Sequence, residues 1–533
     1  MVYKRTILTI GALALLLGPA FGGTQAQPQA QAAAAEGKSL RLSLDDCIVR
    51  ALKNNLAIQV AEFTPRESAV SLGDAESQYL PTMSLQYSPS HSENASYSWL
   101  DTTGATTVRL TSNYSGSINE LTPLGGTFTI SMSSNRSDTN ARATTINPSY
   151  STTLSFRYNQ PLLRSFGPKV TNRTITIARN NLDSSEVTFV NTVQSTIYSV
   201  IQSYWNLVYS VENLKVQRLG LELSKELLAK NQRSVEIGTM APLDVLTAQA
   251  DVASREAGIL AAEASVKANE DSLKVLINLS SEEEKGLRDI VTLDSPTFVE
   301  ERIELEQALA TAMQKRPDLQ ISRLNMKNTD VNLAYAKNQL LPDFRLNASW
   351  SSPGLSGTQL IYQNNSPLTG VIIEEVPGYA SDAWKNSFGF KYQNWSVSLS
   401  LNIDLSDYLT RANYIQAKLS KDKAVLSLTQ QEQQVIQEIR NSVRSVQTSY
   451  KQVLAYKLSR ELSEQKYNAE LDKLRIGQST DYLVLQYLRD MTSAKVSELN
   501  SIISYNIAQA GLERSMGTLL EKKNIKVADL LLD

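Results

Sequence analysis

The sequence is poor in the side chains that most enzyme and metal sites use. Among 533 residues it has one cysteine, Cys47, and one histidine, His91. A single cysteine excludes an intramolecular disulfide. No second histidine or cysteine is present to complete a metal site or a nucleophile–base pair, and the chain has no glycine-rich phosphate-binding loop. The sequence therefore argues against an enzyme and predicts no catalytic residue, metal or cofactor.

A net charge of one sign is also missing. The 52 Lys and Arg residues nearly balance the 54 Asp and Glu residues, so the chain has no basic field that would attract nucleic acid. With only 16 prolines and no low-complexity linker between its halves, the chain favours one continuous architecture. Residues 281–301 form the only plausible seam, an inter-repeat linker.

The N-terminus has the layout of a secretory signal peptide over residues 1–26. Two basic residues precede the apolar run Ile7–Leu17, and Thr24-Gln25-Ala26 offers a small-residue cleavage site. The apolar run is shorter than the roughly 20 residues that span a membrane, although an uncleaved anchor is the alternative. No cysteine lies directly after the run, where it could accept a lipid. Residues 27–41 predict a flexible lead-in.

The chain contains a tandem duplication. Residues 42–81 align without a gap on residues 303–342, and nine of the forty positions are identical. Farther on, Ile237-Gly238 matches Ile476-Gly477. This predicts two similar units, over 42–280 and 302–520, with a tail over 521–533, and internal pseudo-symmetry disfavours a single buried catalytic pocket.

The middle of each repeat alternates apolar and small polar residues, as a strand with two different faces does. Five apolar residues between Trp395 and Ile403 alternate with serine and asparagine over about nine positions, long enough for a tilted strand to cross a bilayer. A half-buried sheet in a soluble domain would give the same alternation. The polar stretches His91–Thr106 and Gly354–Asn365 predict exposed loops.

Very long helices follow the strands. About 65 residues, 171–235, contain no proline and predict a rod of roughly 95–100 Å. A return helix is expected over about 243–278. The second repeat gives the same plan over about 411–474 and 482–517. A dimeric coiled coil is the ordinary alternative for such helices, but it leaves the strands in each repeat unexplained.

Several motifs together resemble the TolC family of outer-membrane efflux proteins. They are Leu44-x-x-Cys47-Ile48 with Ala51-Leu52 at the start of the first repeat, Tyr79-Leu80-Pro81 before its strands, Gln160-Pro161-Leu162-Leu163-Arg164 after them, and Ile237-Gly238-Thr239-x-x-Pro242-Leu243-Asp244-Val245-Leu246 at the hairpin turn. The resemblance covers roughly residues 40–520. It implies a mainly α fold with β structure, in which a trimeric outer-membrane β-barrel continues into a long periplasmic α-helical barrel.

The resemblance also implies a function and a location. The protein is expected to be a passive exit duct of a tripartite efflux or type I secretion system, in the outer membrane of a Gram-negative bacterium. Its expected partners are two further copies of the chain, a periplasmic adaptor, an inner-membrane pump and outer-membrane lipid. A long coiled-coil structural or adhesive envelope protein is the alternative. A tunnel lined by Ser, Thr, Asn and Gln does not reveal the substrate.

The sequence departs from the family pattern in two places. The first repeat has 22 more residues among its strands than the second, which predicts more loop or an extra hairpin. At the second turn Leu483 stands where the first repeat has Asp244, which weakens any acidic ring or ionic latch implied by the resemblance.

The two hairpin turns are the candidate functional site, the periplasmic aperture and adaptor-docking tip. The expected residues are Gly238, Thr239, Pro242, Asp244, Gly477, Ser479, Thr480 and Asp481. The two glycines are expected to end helices in a left-handed conformation. The hydroxyl residues are candidate N-caps, and the acids suit a helix N-terminus, so capping alone explains them as well as a cation-selective gate does.

Two further interpretations concern side chains elsewhere. Cys47 stands where the second repeat has Ala308, on an apolar helical face, and is expected to be a small core residue. Asp251 and Arg255 are spaced as a helical ion pair on a solvated face, and Asp490 is the equivalent of Asp251 in the second repeat.

Overall fold

The structure is a computed structural model that describes most of the chain. The described residues are 38–96, 106–142, 144–238, 241–279, 287–300 and 303–526. The expected signal peptide, most of the lead-in and the last residues of the tail lie outside them.

The first repeat places four strands between its helices. Its elements are β1 (Lys38–Leu42), α1 (Leu44–Asn54), α2 (Leu56–Glu76), β2 (Thr82–Ala95), β3 (Thr106–Leu121), β4 (Thr127–Thr139), β5 (Ile146–Pro161), α3 (Pro168–Thr171), α4 (Arg173–Glu236) and α5 (Pro242–Ile277). The long helix expected over about 171–235 is α4, of 64 residues or about 96 Å.

The second repeat has the same plan with fewer strands. After β6 (Leu287–Thr292), which lies between the repeats, its elements are α6 (Leu305–Lys315), α7 (Pro317–Gln339), β7 (Asp343–Tyr362), β8 (Ile372–Val376), α8 (Ala380–Phe388), β9 (Asn394–Asn402), α9 (Tyr408–Arg475), α10 (Asp481–Met516) and α11 (Leu519–Lys522). The long helix α9 has 68 residues. The fold is thus mainly α with β, built from two tandem repeats.

Seven strands, β2–β5 of the first repeat and β7–β9 of the second, form one antiparallel sheet, whose path runs in the order β2-β3-β4-β5-β7. On the far side of β7, β9 pairs with its first half and β8 with its last residues. Each of the loops expected from the polar stretches is partly strand: β2 continues through His91 to Ala95, and β7 runs on to Tyr362. For these residues the expectation of a loop was wrong, because each strand has a paired neighbour, which satisfies its backbone despite the polar composition.

The longer strand region of the first repeat contains an extra hairpin, formed by β3 and β4. Strands β3 and β4 are joined by a tight turn in which the Thr122 N–H donates to the Gly126 carbonyl, 2.7 Å away. The turn is tied to the start of α3, because the Gly167 N–H donates to the Leu124 carbonyl at 3.1 Å. Gly125 has a φ of +88°, and a Cβ there would lie 2.5 Å from the Ser165 carbonyl oxygen. The turn is therefore built for glycine.

The helices lie side by side in four columns: α2 with α5, α4 alone, α7 with α10, and α9 alone. The long α4 packs along α2 and α5 on one side and along α7 and α10 on the other, and α9 packs along α7 and α10. Each return helix ends at the break between two shorter helices. In the first repeat Asn55 donates from Nδ2 to the Leu276 carbonyl, at 2.8 Å, and Asn278 donates to the Asn54 carbonyl, at 2.9 Å.

The corresponding joint of the second repeat uses different chemistry. Arg316, between α6 and α7, donates from Nη1 to the carbonyl of Ser515 near the end of α10, at 3.3 Å. Gly517 then has a φ of +75°, and a Cβ on it would lie 2.9 Å from the Lys315 carbonyl oxygen. In both repeats, therefore, the end of the return helix is bonded to the break between the two shorter helices.

The apolar core lies in three clusters along the helices. The largest surrounds the middle of α4, where Phe189, Val193, Ile197 and Tyr204 are buried at helical spacing. Cys47 is fully buried in this cluster, which confirms it as a core residue. A second cluster centres on α9, and the third lies near the hairpin turns.

A small parallel ladder joins the ends of the first repeat. Strand β1 pairs with β6, which lies in the segment expected as a linker. Residues 38–41, the described part of the stretch 27–41 for which a flexible lead-in was expected, therefore belong to a strand. The pairing holds because Leu42 and Ile290 are buried in the largest core cluster.

Candidate functional site

The first hairpin turn lies between α4 and α5. Gly238 has a φ of +82°, and its N–H donates to the Val235 carbonyl at 2.9 Å, as a helix-ending glycine does. Helix α5 then begins at Pro242, with Ala241 as its N-cap and no side-chain cap. Thr239 lies outside the described residues. Asp244 stands in the first turn of α5, where negative charge is favourable.

The second hairpin turn is held by side chains. Gly477 has a φ of +78°. Thr480 is the N-cap of α10 and accepts from the Leu483 N–H at 3.4 Å. Ser479 does not cap the helix, since its Oγ donates to the buried carboxylate of Glu470 on α9, at 2.6 Å. Of the three candidate N-caps, the structure thus assigns that role to Thr480.

Asp481, the first residue of α10, points into the chain. It is 5% exposed and faces α4, where the Asn231 amide, in the orientation that turns its nitrogen toward the carboxylate, donates to Asp481 Oδ1 at 3.1 Å. Burial raises the pKa of Asp481; nearby Lys230 opposes the shift, and Asp244 adds to it. The structure therefore brings the two tip acids together, with Asp244 the more exposed.

Asp251 was expected on a solvated face, and that expectation was wrong. Its carboxylate is 3% exposed and accepts from Arg255 Nε at 2.7 Å, Ser224 Oγ at 2.8 Å and Arg489 Nε at 2.8 Å. Burial alone would raise the pKa of Asp251, but these three donors outweigh it and hold the pKa below its ordinary value. The equivalent residue of the second repeat, Asp490, is exposed.

This cluster joins three helices above the turns: Ser224 lies on α4, Asp251 on α5 and Arg489 on α10. A Cβ at Gly220 of α4 would lie 2.7 Å from Arg255 Nη1, so the glycine leaves room for the guanidinium. Sequence spacing found the Asp251–Arg255 pair but missed Arg489, because 238 positions separate it from Asp251. No local pattern reports such a contact.

The sheet has one apolar face whose rows run through all its long strands. Across one row, Ile118 of β3 pairs with Ile130 of β4, which pairs with Phe156 of β5. Phe156 pairs with Trp350 of β7, and Trp350 with Trp395 of β9. At the two outer strands this face is uncovered, with Leu85 75% and Leu399 63% exposed.

The opposite face of the sheet is polar and internally hydrogen-bonded. Hydroxyl pairs bridge neighbouring strands, as Ser84 does with Ser117 at 2.8 Å and Ser131 with Ser155 at 3.0 Å. Farther along, Asn159 donates to Asn347 at 2.6 Å. A sheet that is apolar on one face and wet on the other suits a wall between lipid and water.

None of the helices in the described part of the chain has the length and apolarity that a membrane span requires, and the described residues contain no group of three His, Cys, Asp or Glu side chains that could hold a metal ion. Burial raises the pKa of the Cys47 thiol to about 12, which suppresses the reactive thiolate.

A profile of the family described as outer membrane efflux protein matches residues 122–279 and 308–518, more than half of the chain. The chain belongs to the outer membrane efflux protein family. This confirms the resemblance seen in the sequence. The efflux-protein match takes in both hairpin turns and begins after β2 and β3. Members of this family are outer-membrane channels rather than enzymes. No curated protein sequence matches the chain.

Solved efflux-protein channels share the fold over nearly the whole chain. The CmeC outer-membrane channel of Campylobacter jejuni is 17% identical with a TM-score of 0.62, over 91% of this chain and 90% of that one. VceC of Vibrio cholerae is 15% identical with a TM-score of 0.62, over 89% and 96%. The MtrE channel of Neisseria gonorrhoeae, in an open state, is 17% identical with a TM-score of 0.58, over 89% of each chain.

Proposed function

We propose that three copies of the chain form a continuous exit duct, an outer-membrane β-barrel followed by an α-helical tunnel through the periplasm. The observation that carries this proposal is the joining, in one chain, of a two-faced antiparallel sheet to helices of about 96 Å. The sheet faces lipid with its apolar side and water with its polar side, while the helices reach far beyond any membrane. Membership of an outer-membrane efflux family supports the same placement.

Closure of the barrel follows from the two edges of the sheet. Among the described residues β2 pairs only with β3, and β9 only with β7, so each leaves one side without a partner strand. Open edges are a liability for a single chain. Pairing β2 of one copy with β9 of the next closes the sheet after three copies. With six long strands from each of three chains, the barrel has 18 strands, enough for an aqueous channel.

The polar face of the sheet becomes the barrel lumen. Its Ser, Thr and Asn side chains pair with one another across strands and carry little net charge. Such a wall conducts without binding its cargo tightly. The duct is therefore passive, and an inner-membrane pump supplies the driving force and selects the substrate.

The hairpin turns form the inner end of the duct, where a periplasmic adaptor docks. The tip residues are Gly238, Thr239, Pro242, Asp244, Gly477, Ser479, Thr480 and Asp481. Because Asp481 is turned inward, Asp244 supplies the accessible carboxylate, and three copies place three such acids around the mouth. The backbone at each glycine is exposed and free of side chains, which suits close approach of a partner.

Two measurements test the duct together. Native mass measurement of the detergent-solubilised protein should give three chains, and the same particle should conduct ions in planar bilayers. A stable monomer or dimer would reject the trimer. A trimer without conductance would favour a structural or adhesive envelope protein.

A further inference from the structure

Helix α8 lies on the apolar face of the sheet, across β5 and β7. Two reciprocal hydrogen bonds fix it there: Ser387 Oγ donates to the Ser352 carbonyl, and Ser352 Oγ donates to the Ser387 carbonyl, both at 2.7 Å. The Leu154 N–H of β5 also donates to Ser387 Oγ, at 3.2 Å. The helix is thus bonded to two strands rather than resting loosely on them.

Small residues bring the helix and the sheet close together. A Cβ at Gly354 of β7 would lie 2.0 Å from the Ala383 carbonyl oxygen, so only glycine permits this approach. Thr152 of β5 and Ser352 of β7 are fully buried beneath the helix. Apart from Leu154, the residues on this face beyond the row that contains Phe156 and Trp350 are therefore small where α8 covers them.

The outer side of α8 restores the apolar surface that these strand residues do not provide. Trp384 and Phe388, four residues apart, stack with ring centroids 5.7 Å apart and are 36% and 46% exposed. Phe390, just after the helix, contacts Trp350 at 5.4 Å. Together with Trp395, which is 76% exposed, they make an uncovered aromatic patch that continues the apolar face of the sheet.

We propose that α8 is a membrane-interface helix whose Trp384 and Phe388 side chains insert among lipids at the outer rim of the apolar face. The proposal rests on the proposed function, which places that face in the membrane. Lipid is the occupant because the patch is continuous with the apolar rows and is aromatic, and aromatic side chains concentrate at both edges of a membrane-spanning wall. The charged Lys385 projects from the same helix with 79% of its side chain exposed, as suits the headgroup region.

Environment-sensitive labelling tests this placement. In a Cys47→Ala background, which copies Ala308 of the second repeat, the variants Trp384→Cys and Lys385→Cys are labelled with a nitrobenzoxadiazole probe and reconstituted in phosphatidylcholine vesicles. The probe at 384 should emit at a shorter wavelength than the probe at 385 and should be quenched by nitroxide-labelled lipid. The neighbouring probe at 385 should be quenched more by aqueous iodide. Equal iodide quenching at both positions would overturn the proposal.

A third label separates this proposal from the proposed function. Val397→Cys carries the probe on the apolar face of β9, where the native side chain is 62% exposed. Lipid quenching at 397 without lipid quenching at 384 would reject the α8 assignment alone. Iodide quenching at 397 would reject the membrane placement of the whole sheet. Particle mass, measured for each labelled variant, shows that assembly is intact.

Discussion

Arg489 of α10 forms an ion pair with Asp251 of α5, a residue distant from it in the sequence. Its Nε and Nη2 lie 2.8 and 2.7 Å from the same carboxylate oxygen, Oδ1. This contact ties the return helix of the second repeat to that of the first. The sequence equivalent of Asp251 in the second repeat, Asp490, has no such burial. Both repeats thus have an aspartate at this position, but only Asp251 is part of a buried ion-pair cluster.

Asp251→Asn should destabilise the helical hairpins. The change removes the one buried anion that balances Arg255 and receives Arg489. Breaking a buried ion pair costs up to about 3–5 kcal/mol, and the exposure of Arg489 lowers that figure. The apparent unfolding midpoint, followed by far-ultraviolet circular dichroism in detergent, should fall. Asp490→Asn is the matched control and should change stability by no more than about 0.5 kcal/mol. If the two variants lower stability equally, the Asp251 cluster does not stabilise the hairpins.

Acid should loosen the same cluster. The pKa of Asp251 is lowered in the folded chain, so its contribution to stability is present above the ordinary aspartate pKa of about 3.9 and is lost as pH falls through the folded value. The native chain should therefore lose stability below about pH 4 more steeply than Asp251→Asn does. Parallel pH profiles for the two proteins would contradict this linkage.

Asp481 should show the opposite sign. Burial raises its pKa, so its contribution is present at low pH and is lost as pH rises through the folded value. Asp481→Asn keeps an acceptor for Asn231 and removes the buried charge. It should raise the unfolding midpoint at pH 8 and have less effect at pH 4, as measured by thermal scans. A loss of stability at pH 8 would show that attraction to Lys230 outweighs burial.

Substitution of either tip glycine should distort its turn without a clash. Gly238 and Gly477 have positive φ values, and open space surrounds the position of a Cβ. Replacement by alanine should cost about 1 kcal/mol or more for the left-handed conformation alone. Gly258, on the exposed side of α5, is the control, since alanine there should stabilise the helix by up to about 1 kcal/mol. Denaturant midpoints that move in the same direction in all three variants would contradict the interpretation.

The two faces of β9 should respond differently to charge. Val397→Arg places a cation on the apolar face and should cost about 2–4 kcal/mol if it lies near the membrane midplane. Ser398→Arg places the same cation on the polar face, where it should leave assembly intact and shift conductance toward anions. Yields of trimer in outer-membrane extracts, together with bilayer recordings, separate the two. Equal yields would place β9 outside the lipid.

Charge at the mouth should depend mainly on Asp244. Asp244→Asn removes three negative charges from the proposed trimer and should reduce cation preference in bilayers, while folding is preserved because one favourable charge in the first turn of a helix contributes only about 0.3–1 kcal/mol. Asp481→Asn, at a residue 5% exposed, should leave selectivity nearly unchanged. If selectivity is unchanged in Asp244→Asn, the tip acids serve the helices alone.

The helices were largely predictable from the sequence because their signals are local. The ends of α4, α5, α9 and α10 lie within a few residues of those expected, because proline-free apolar periodicity and helix-ending glycines act locally. The extents of β2 and β7 were not predictable, since polar residues entered the sheet only through pairing with distant strands. The β1–β6 ladder, across about 250 positions, left no mark in composition.

The candidate site divides in the same way. The positive φ values of Gly238 and Gly477 follow from their own chemistry and were expected. The burial of Asp481 against α4 was not expected. It depends on Asn231, which belongs to the first repeat and lies far from Asp481 in the sequence. The sequence carried the side chains of the Asp251 cluster but not the packing that assembles them.

In the proposed trimer, the extra hairpin of β3 and β4 sets the girth of the barrel. In the proposed trimer the helical layer has 12 columns, which at about 9–10 Å each give a girth of roughly 110–120 Å. Eighteen strands spaced by about 4.8 Å and tilted by about 40° give a girth of roughly 113 Å. With two strands fewer per chain, the girth of the barrel would be only about 75 Å by the same estimate. In the proposed trimer the hairpin thus gives the β-barrel an opening about as broad as the helical tunnel below it.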